Sequence, residues 1–138
     1  MEYLVCENDI IVRIQKGEEI LASLNTLCKE LNITAGSLTG LGACDNVTMG
    51  LYSLEEKKYF KNTFKGEFEI SSLTGNISTK DNEPYLHLHI TVSNGNGETF
   101  GGHLNECFIS ATSEIFIHKI DAKLERYPDK ETGLNFIL

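Results

Sequence analysis

The chain has 138 residues, 41% hydrophobic and 23% charged, which is an ordinary composition for one globular domain, expected here over residues 1–138. No apolar run approaches the ~20 residues that span a bilayer, and no basic-then-apolar leader opens the sequence, so a soluble, cytoplasmic protein with no membrane role is expected. Twelve basic against 20 acidic side chains leave a net charge of −8, which repels polyanions and argues against direct nucleic-acid binding.

Residues 3–14 predict a first strand, with Ile10, Val12 and Ile14 alternating against Ile11 and Arg13. Lys16-Gly17 turns the chain into a helix over residues 18–31. Its apolar positions Ile20, Leu21, Leu24, Leu27, Cys28 and Leu31 recur at helical spacing, and Asn32 is its stop signal. Glu18 and Glu19 suit the positive end of the helix dipole. Residues 33–42 are glycine-rich. Gly40-Leu41-Gly42 does not continue into a phosphate-binding pattern, so the glycines predict close backbone packing.

Residues 47–54 and 57–64 predict an antiparallel pair around Glu55-Glu56. The lysines there, Lys57, Lys58, Lys61 and Lys65, are flanked by Glu55, Glu56, Glu67 and Glu69, which makes a mixed-charge surface rather than a basic patch. Residues 67–78 follow as a strand broken at Gly75, with a core face of Phe68, Ile70 and Ser72. Beyond a histidine-bearing hairpin come residues 108–111, an alternating strand over 114–124, a loop containing Pro128, and an apolar tail over 134–138. This order predicts an α+β fold: a largely antiparallel β-sheet with one main amphipathic helix packed on it. Cys6, Cys28, Cys44 and Cys107 are scattered without a C-x-x-C pair and are expected to be reduced thiols.

The hairpin, residues 85–104, carries the chemistry. His87 and His89 are two apart, so on a strand they share one face while Leu86, Leu88 and Ile90 take the other. Asn94-Gly95-Asn96-Gly97 reverses the chain toward Gly101-Gly102-His103. A four-residue loop would turn His103 away from the other two imidazoles. An odd-length loop restores the face, as would a one-residue bulge, for which Gly101-Gly102 is the candidate. Three neutral imidazoles with an open position suit zinc or another divalent transition metal. The competing reading is three ordinary strand histidines bonded to their neighbours. Cys107 is a conceivable fourth ligand, though four residues along a strand is far.

The segments Gly66–Gly75, His87-Leu88-His89, Gly101-Gly102-His103-Leu104 and Glu114-Ile115, with Arg13, Gly17-Glu18 and Gly40-Leu41-Gly42, resemble the plants and prokaryotes conserved (PPC) domain in its prokaryotic stand-alone form. The resemblance implies a homotrimer in which His87, His89 and His103 gather around a metal, usually zinc. Plant members follow AT-hook motifs that grip A·T-rich DNA and use a Gly-Arg-Phe-Glu-Ile-Leu segment in partner contacts. This chain has no AT-hook. Glu67 stands where that segment has arginine, and Ser71 where it has leucine.

The expected function is a trimeric binding or regulatory module with a small anionic ligand at the metal. A metal-dependent hydrolase or lyase is the alternative, with Glu114 as the carboxylate to test as general base. The third reading is a DNA-associated regulator, as in the plant relatives.

Overall fold

A computed structural model describes residues 1–138. The chain runs through β1 (Glu2–Cys6), β2 (Asp9–Gln15), α1 (Ile20–Glu30), β3 (Gly36–Ser53), β4 (Lys58–Lys80), β5 (Glu83–Ser93), β6 (Thr99–Lys119), β7 (Arg126–Pro128) and β8 (Asn135–Ile137). The main sheet is antiparallel throughout, in the order β1-β2-β6-β3-β4-β5. β5 also pairs with the first part of β6, so β3, β4, β5 and β6 close on themselves. The α+β expectation holds, with α1 as the single helix.

Local sequence explains most of these elements. Ile10, Val12 and Ile14 are buried while their neighbours face solvent, as alternation requires. The expected first strand is two strands, however. Glu7 takes φ 55° and turns the chain between Cys6 and Asp9, with no glycine or proline to mark the reversal. Helix α1 buries Ile20, Leu24, Leu27 and Cys28. Glu19 is its N-cap, accepting from Leu21 N and Ala22 N, and it also accepts from Cys107 N at 2.9 Å, which ties the helix start to β6. Glu18 instead receives the N-terminal ammonium. Asn32 ends the helix region at φ 48°.

Long strands in a closed sheet must bend, and bulges supply the bend. Gly75 does not break β4, which is continuous over 23 residues. Against β5, Ile70 pairs with Val92 but Ser72 pairs with Thr91, so Ser71 is an extra residue. The bulge resets the side-chain alternation. Phe68 and Ile70 face the core as expected, but Leu73 and Ile77 continue it, and Ser72 is exposed. β6 is likewise one strand where the return strand of the hairpin, residues 108–111 and residues 114–124 were expected as separate pieces, with register shifts against β3 on either side of Cys44. Ile120 to Leu124 are not part of it. They cross to the edge of β4, where Leu124 O accepts from Thr79 N at 2.7 Å. The expected Pro128 loop and apolar tail form the β7–β8 hairpin.

Candidate metal centre and adjoining cleft

The parity of one loop decides the site. Ser93 pairs with Thr99, so five residues, Asn94 to Glu98, connect β5 and β6. Asn94 shapes that loop: its Oδ1 accepts from Asn96 N and Glu98 N, both at 3.0 Å, while Gly97 takes φ 80°. The odd count places His103 directly across from His89. No bulge interrupts β5–β6 at Gly101-Gly102, so the odd loop alone restores the face. The glycines serve another contact. A Cβ on Gly102 would lie 2.8 Å from Gly50 O, so its absence lets β6 approach β3.

His87, His89 and His103 are thus brought together from two strands, and one ligating nitrogen from each lies within 4.8 Å of the others. Their ring centroids are 5.3, 5.1 and 5.6 Å apart. Burial, then the neighbouring His103, Arg126 and His89, pushes the His87 pKa down to about 4. Burial and His89 also lower that of His103. Both rings are therefore neutral at pH 7, the state in which imidazole offers a lone pair. Tyr59 packs edge-on against the His103 ring and donates from its hydroxyl to Asn105 Oδ1 at 2.9 Å. A donor set of three nitrogens, open on one side, fits a divalent transition metal of the zinc type.

The open side is a cleft of about 700 Å³ between the cluster and the β7–β8 hairpin. Arg126, Asn76, Tyr85, Asn105 and Phe136 line it, and the sequence reading singled out none of them. Arg126 is one of only two arginines in the chain, which is the one signal that would have drawn notice.

Other candidates lie elsewhere. Glu114 is exposed and pairs with Arg13 and Leu41. At ~3.3 Å per residue, the strand carries it on the order of 30 Å from His103, so the fold does not bring it to the histidines. Cys107 is buried in the core beside Cys44 and is not with the cluster, which removes it as a fourth ligand. His118 is exposed, with Nδ1 2.9 Å from Asp9 Oδ1.

Fold and site together define a sheet-closed α+β domain with an imidazole cluster at the mouth of a cleft. The family model for the Plants and Prokaryotes Conserved (PCC) domain matches residues 1–121, and the chain belongs to that family. Similar solved structures include a Bacteroides thetaiotaomicron protein provisionally described as DNA-binding. It is 35% identical at a TM-score of 0.96, with 99% of this chain and 95% of that one covered. A metal-containing protein from Archaeoglobus fulgidus is 30% identical at a TM-score of 0.89, covering 99% and 96%. A plant- and prokaryote-conserved protein from Pyrococcus horikoshii is 34% identical at 0.88, covering 99% and 94%. Two Synechococcus proteins described as bifunctional protein GlmU match at 27% and 28% identity over 125 residues. That is 88% of this chain, which spans about a fifth of the length of these curated relatives. No helix is long and apolar enough to cross a membrane.

Proposed function

We propose that this protein is a metal-binding module: His87, His89 and His103 hold one divalent transition metal, zinc first among the candidates, and the open position takes a small ligand. The observation that carries this reading is the convergence of three imidazole nitrogens within 4.8 Å. The lowered basicity of His87 and His103 supports it, as does the description of the A. fulgidus relative as metal-containing. Bound there, the ion would supply Lewis-acid polarisation and concentrated positive charge. The chain's own contribution is positional. The pairing of His89 with His103 fixes two rings, and Tyr59 backs the third side through His103.

A hydrolase or lyase would need a general base near the open position. No Asp or Glu lines the cleft, and this favours binding over turnover. Association with DNA has the provisional description of the B. thetaiotaomicron relative in its favour and the net charge of −8 against it. At ~150 mM salt we expect nothing tighter than non-specific binding to A·T-rich duplex, with Kd ~0.1 mM or weaker, and a sub-micromolar, competitor-resistant gel shift would overturn this.

We further propose assembly as a homotrimer. Leu4, Ile11 and Phe116 are in register across β1, β2 and β6 and are 62%, 40% and 56% exposed, an apolar row suited to burial between copies. Light scattering at micromolar concentration should return three times the chain mass; a monomer mass would end that part of the proposal. The metal reading is tested by elemental mass spectrometry of protein purified without an affinity tag. One equivalent per chain is expected, and protein free of transition metal would overturn it.

A further inference from the structure

The chain carries 20 carboxylate side chains, yet none lines its largest described cleft. What stands there instead is Arg126, 6% exposed. Its Nε donates to Ser78 Oγ at 2.7 Å, Nη1 to Asn135 O at 2.7 Å and Nη2 to Asn76 Oδ1 at 2.6 Å. All three acceptors are neutral. The guanidinium lies over the Tyr85 ring, 4.6 Å from its centroid, and forms no ion pair. A buried charge is ordinarily matched by an opposite one. Of the five N–H groups of a guanidinium, one on each Nη is left over, which makes a planar fork.

The neighbouring polar groups point to the same chemistry. The Asn76 carbonyl oxygen is occupied by Arg126 and that of Asn105 by Tyr59, so both carboxamides have their N–H groups left to offer. Asn76 pairs across the sheet with His87, which places the guanidinium beside the histidine cluster. Apolar side chains complete the lining: Leu134, Phe136 and Ile137 of the same C-terminal hairpin that carries Arg126, with Leu51. A site rich in donors, with one unmatched cation and an apolar wall, selects an anion with an apolar body.

We propose that this cleft binds a small organic carboxylate, its charged group held by Arg126 and Asn76 and its apolar body against Leu134, Phe136 and Ile137. The proposal deepens the metal-module reading and rests on it for the second positive charge, but the Arg126 fork acts without the ion. Arg126, Leu134, Phe136 and Ile137 lie beyond residue 121, where the family match ends, while Asn76 and Leu51 lie within it, so the proposed site draws on both parts of the chain.

The test is ligand-observed 19F NMR with 4-fluorobenzoate on zinc-loaded protein, with 4-fluorobenzamide as the uncharged control. The benzoate should bind and the amide should not. Arg126→Gln should weaken the benzoate at least about tenfold, as loss of a bidentate charged pair does. Asn76→Asp keeps the acceptor for Nη2 but sets a carboxylate against the guanidinium. It should weaken the benzoate similarly, and it serves as the test if Arg126→Gln does not fold. Equal binding of the amide, or wild-type affinity in both variants, overturns the proposal. Inorganic phosphate displacing the probe at lower concentration than acetate overturns the carboxylate assignment. Metal content measured on the same samples separates the two readings. Normal metal with unaltered benzoate binding in the variants sinks this proposal alone. Metal retained by a His89→Ala protein sinks the metal reading and leaves the Arg126 result standing.

Discussion

His103 and His118 sit at opposite ends of one strand and have opposite surroundings. At the first end of β6, His103 faces two other imidazoles, is half-buried, and has its basicity lowered by that burial and by His89. At the far end, His118 stands in solvent with the Asp9 carboxylate 2.9 Å away. One environment favours the neutral ring that a metal needs, and the other sets a carboxylate beside an exposed ring. The residue type carries the same capacity at both places. Closure of β5 onto β6 at one end, and pairing of β2 with β6 at the other, decides which capacity is used.

The sharpest way to break this contrast is to exchange the two ends by mutation. His103→Ala should abolish stoichiometric metal, an effect larger than the ~10–100-fold cost of losing only an outer hydrogen-bond partner. His118→Ala should leave metal content unchanged. Elemental mass spectrometry of both proteins decides it, and metal lost only from the His118 variant would invert the assignment.

A second break acts through the backbone. Gly75 on β4 pairs with Leu88, between the two β5 histidines, and a Cβ there would lie 2.1 Å from His87 O and 2.6 Å from Leu88 Cδ2. Gly75→Ala should therefore cost about 1–3 kcal/mol of stability, as overpacking does, and should also weaken the metal by displacing β5. Gly95→Ala, with nothing within 4 Å of the added carbon, should do neither. Urea midpoints of the two variants make the comparison, and equal midpoints would mean that β5 yields to the methyl group.

These residues also show where sequence reading succeeds and where it stops. The shared face of His87 and His89 and the burial of Leu88 and Ile90 were legible because alternation is a property of the strand itself. The helix was legible for the same reason at a different period. Whether His103 joined them depended on the number of residues in a loop, which Asn94 sets by accepting two backbone hydrogen bonds. The turn at Glu7 is marked by Asn8 alone, without glycine or proline, the extra residue at Ser71 by nothing, and each changes where the following side chains point. Arg126 was least legible of all. Its place in the cleft requires residues 120–125 to cross from β6 to Thr79, a tertiary path with no local signature.

A weaker effect sharpens the contrast by pH. With its pKa held at about 4, against 6.5 for the ordinary group, His87 resists a proton that the unfolded chain accepts. Between those values the unfolded state binds more protons, so stability rises with pH through that window and falls on acidification from 6.5 toward 4. The ring is only partly buried, so the slope is modest. Chelator-treated protein should show a lower urea midpoint at pH 5 than at pH 7, and His87→Ala should flatten that difference. An unchanged slope in the variant would assign the acid sensitivity to other groups.

The smallest effect belongs to the far end of the strand. Asp9 and His118 are register partners across β2 and β6, but their side chains are 67% and 59% exposed. Ion pairs in that setting contribute at most about 1 kcal/mol, and salt screens them. His118→Ala and Asp9→Asn should each lower stability by less than ~1 kcal/mol, and the loss should shrink at ~1 M salt. Ile10, Ile115 and Ile117 are buried in the same strands and hold the pairing without the ion pair. Denaturation of the two single variants and the double variant at low and high salt measures the coupling directly. A loss of several kcal/mol that persists in salt would show that this end of β6 is held by its surface pair rather than by its core.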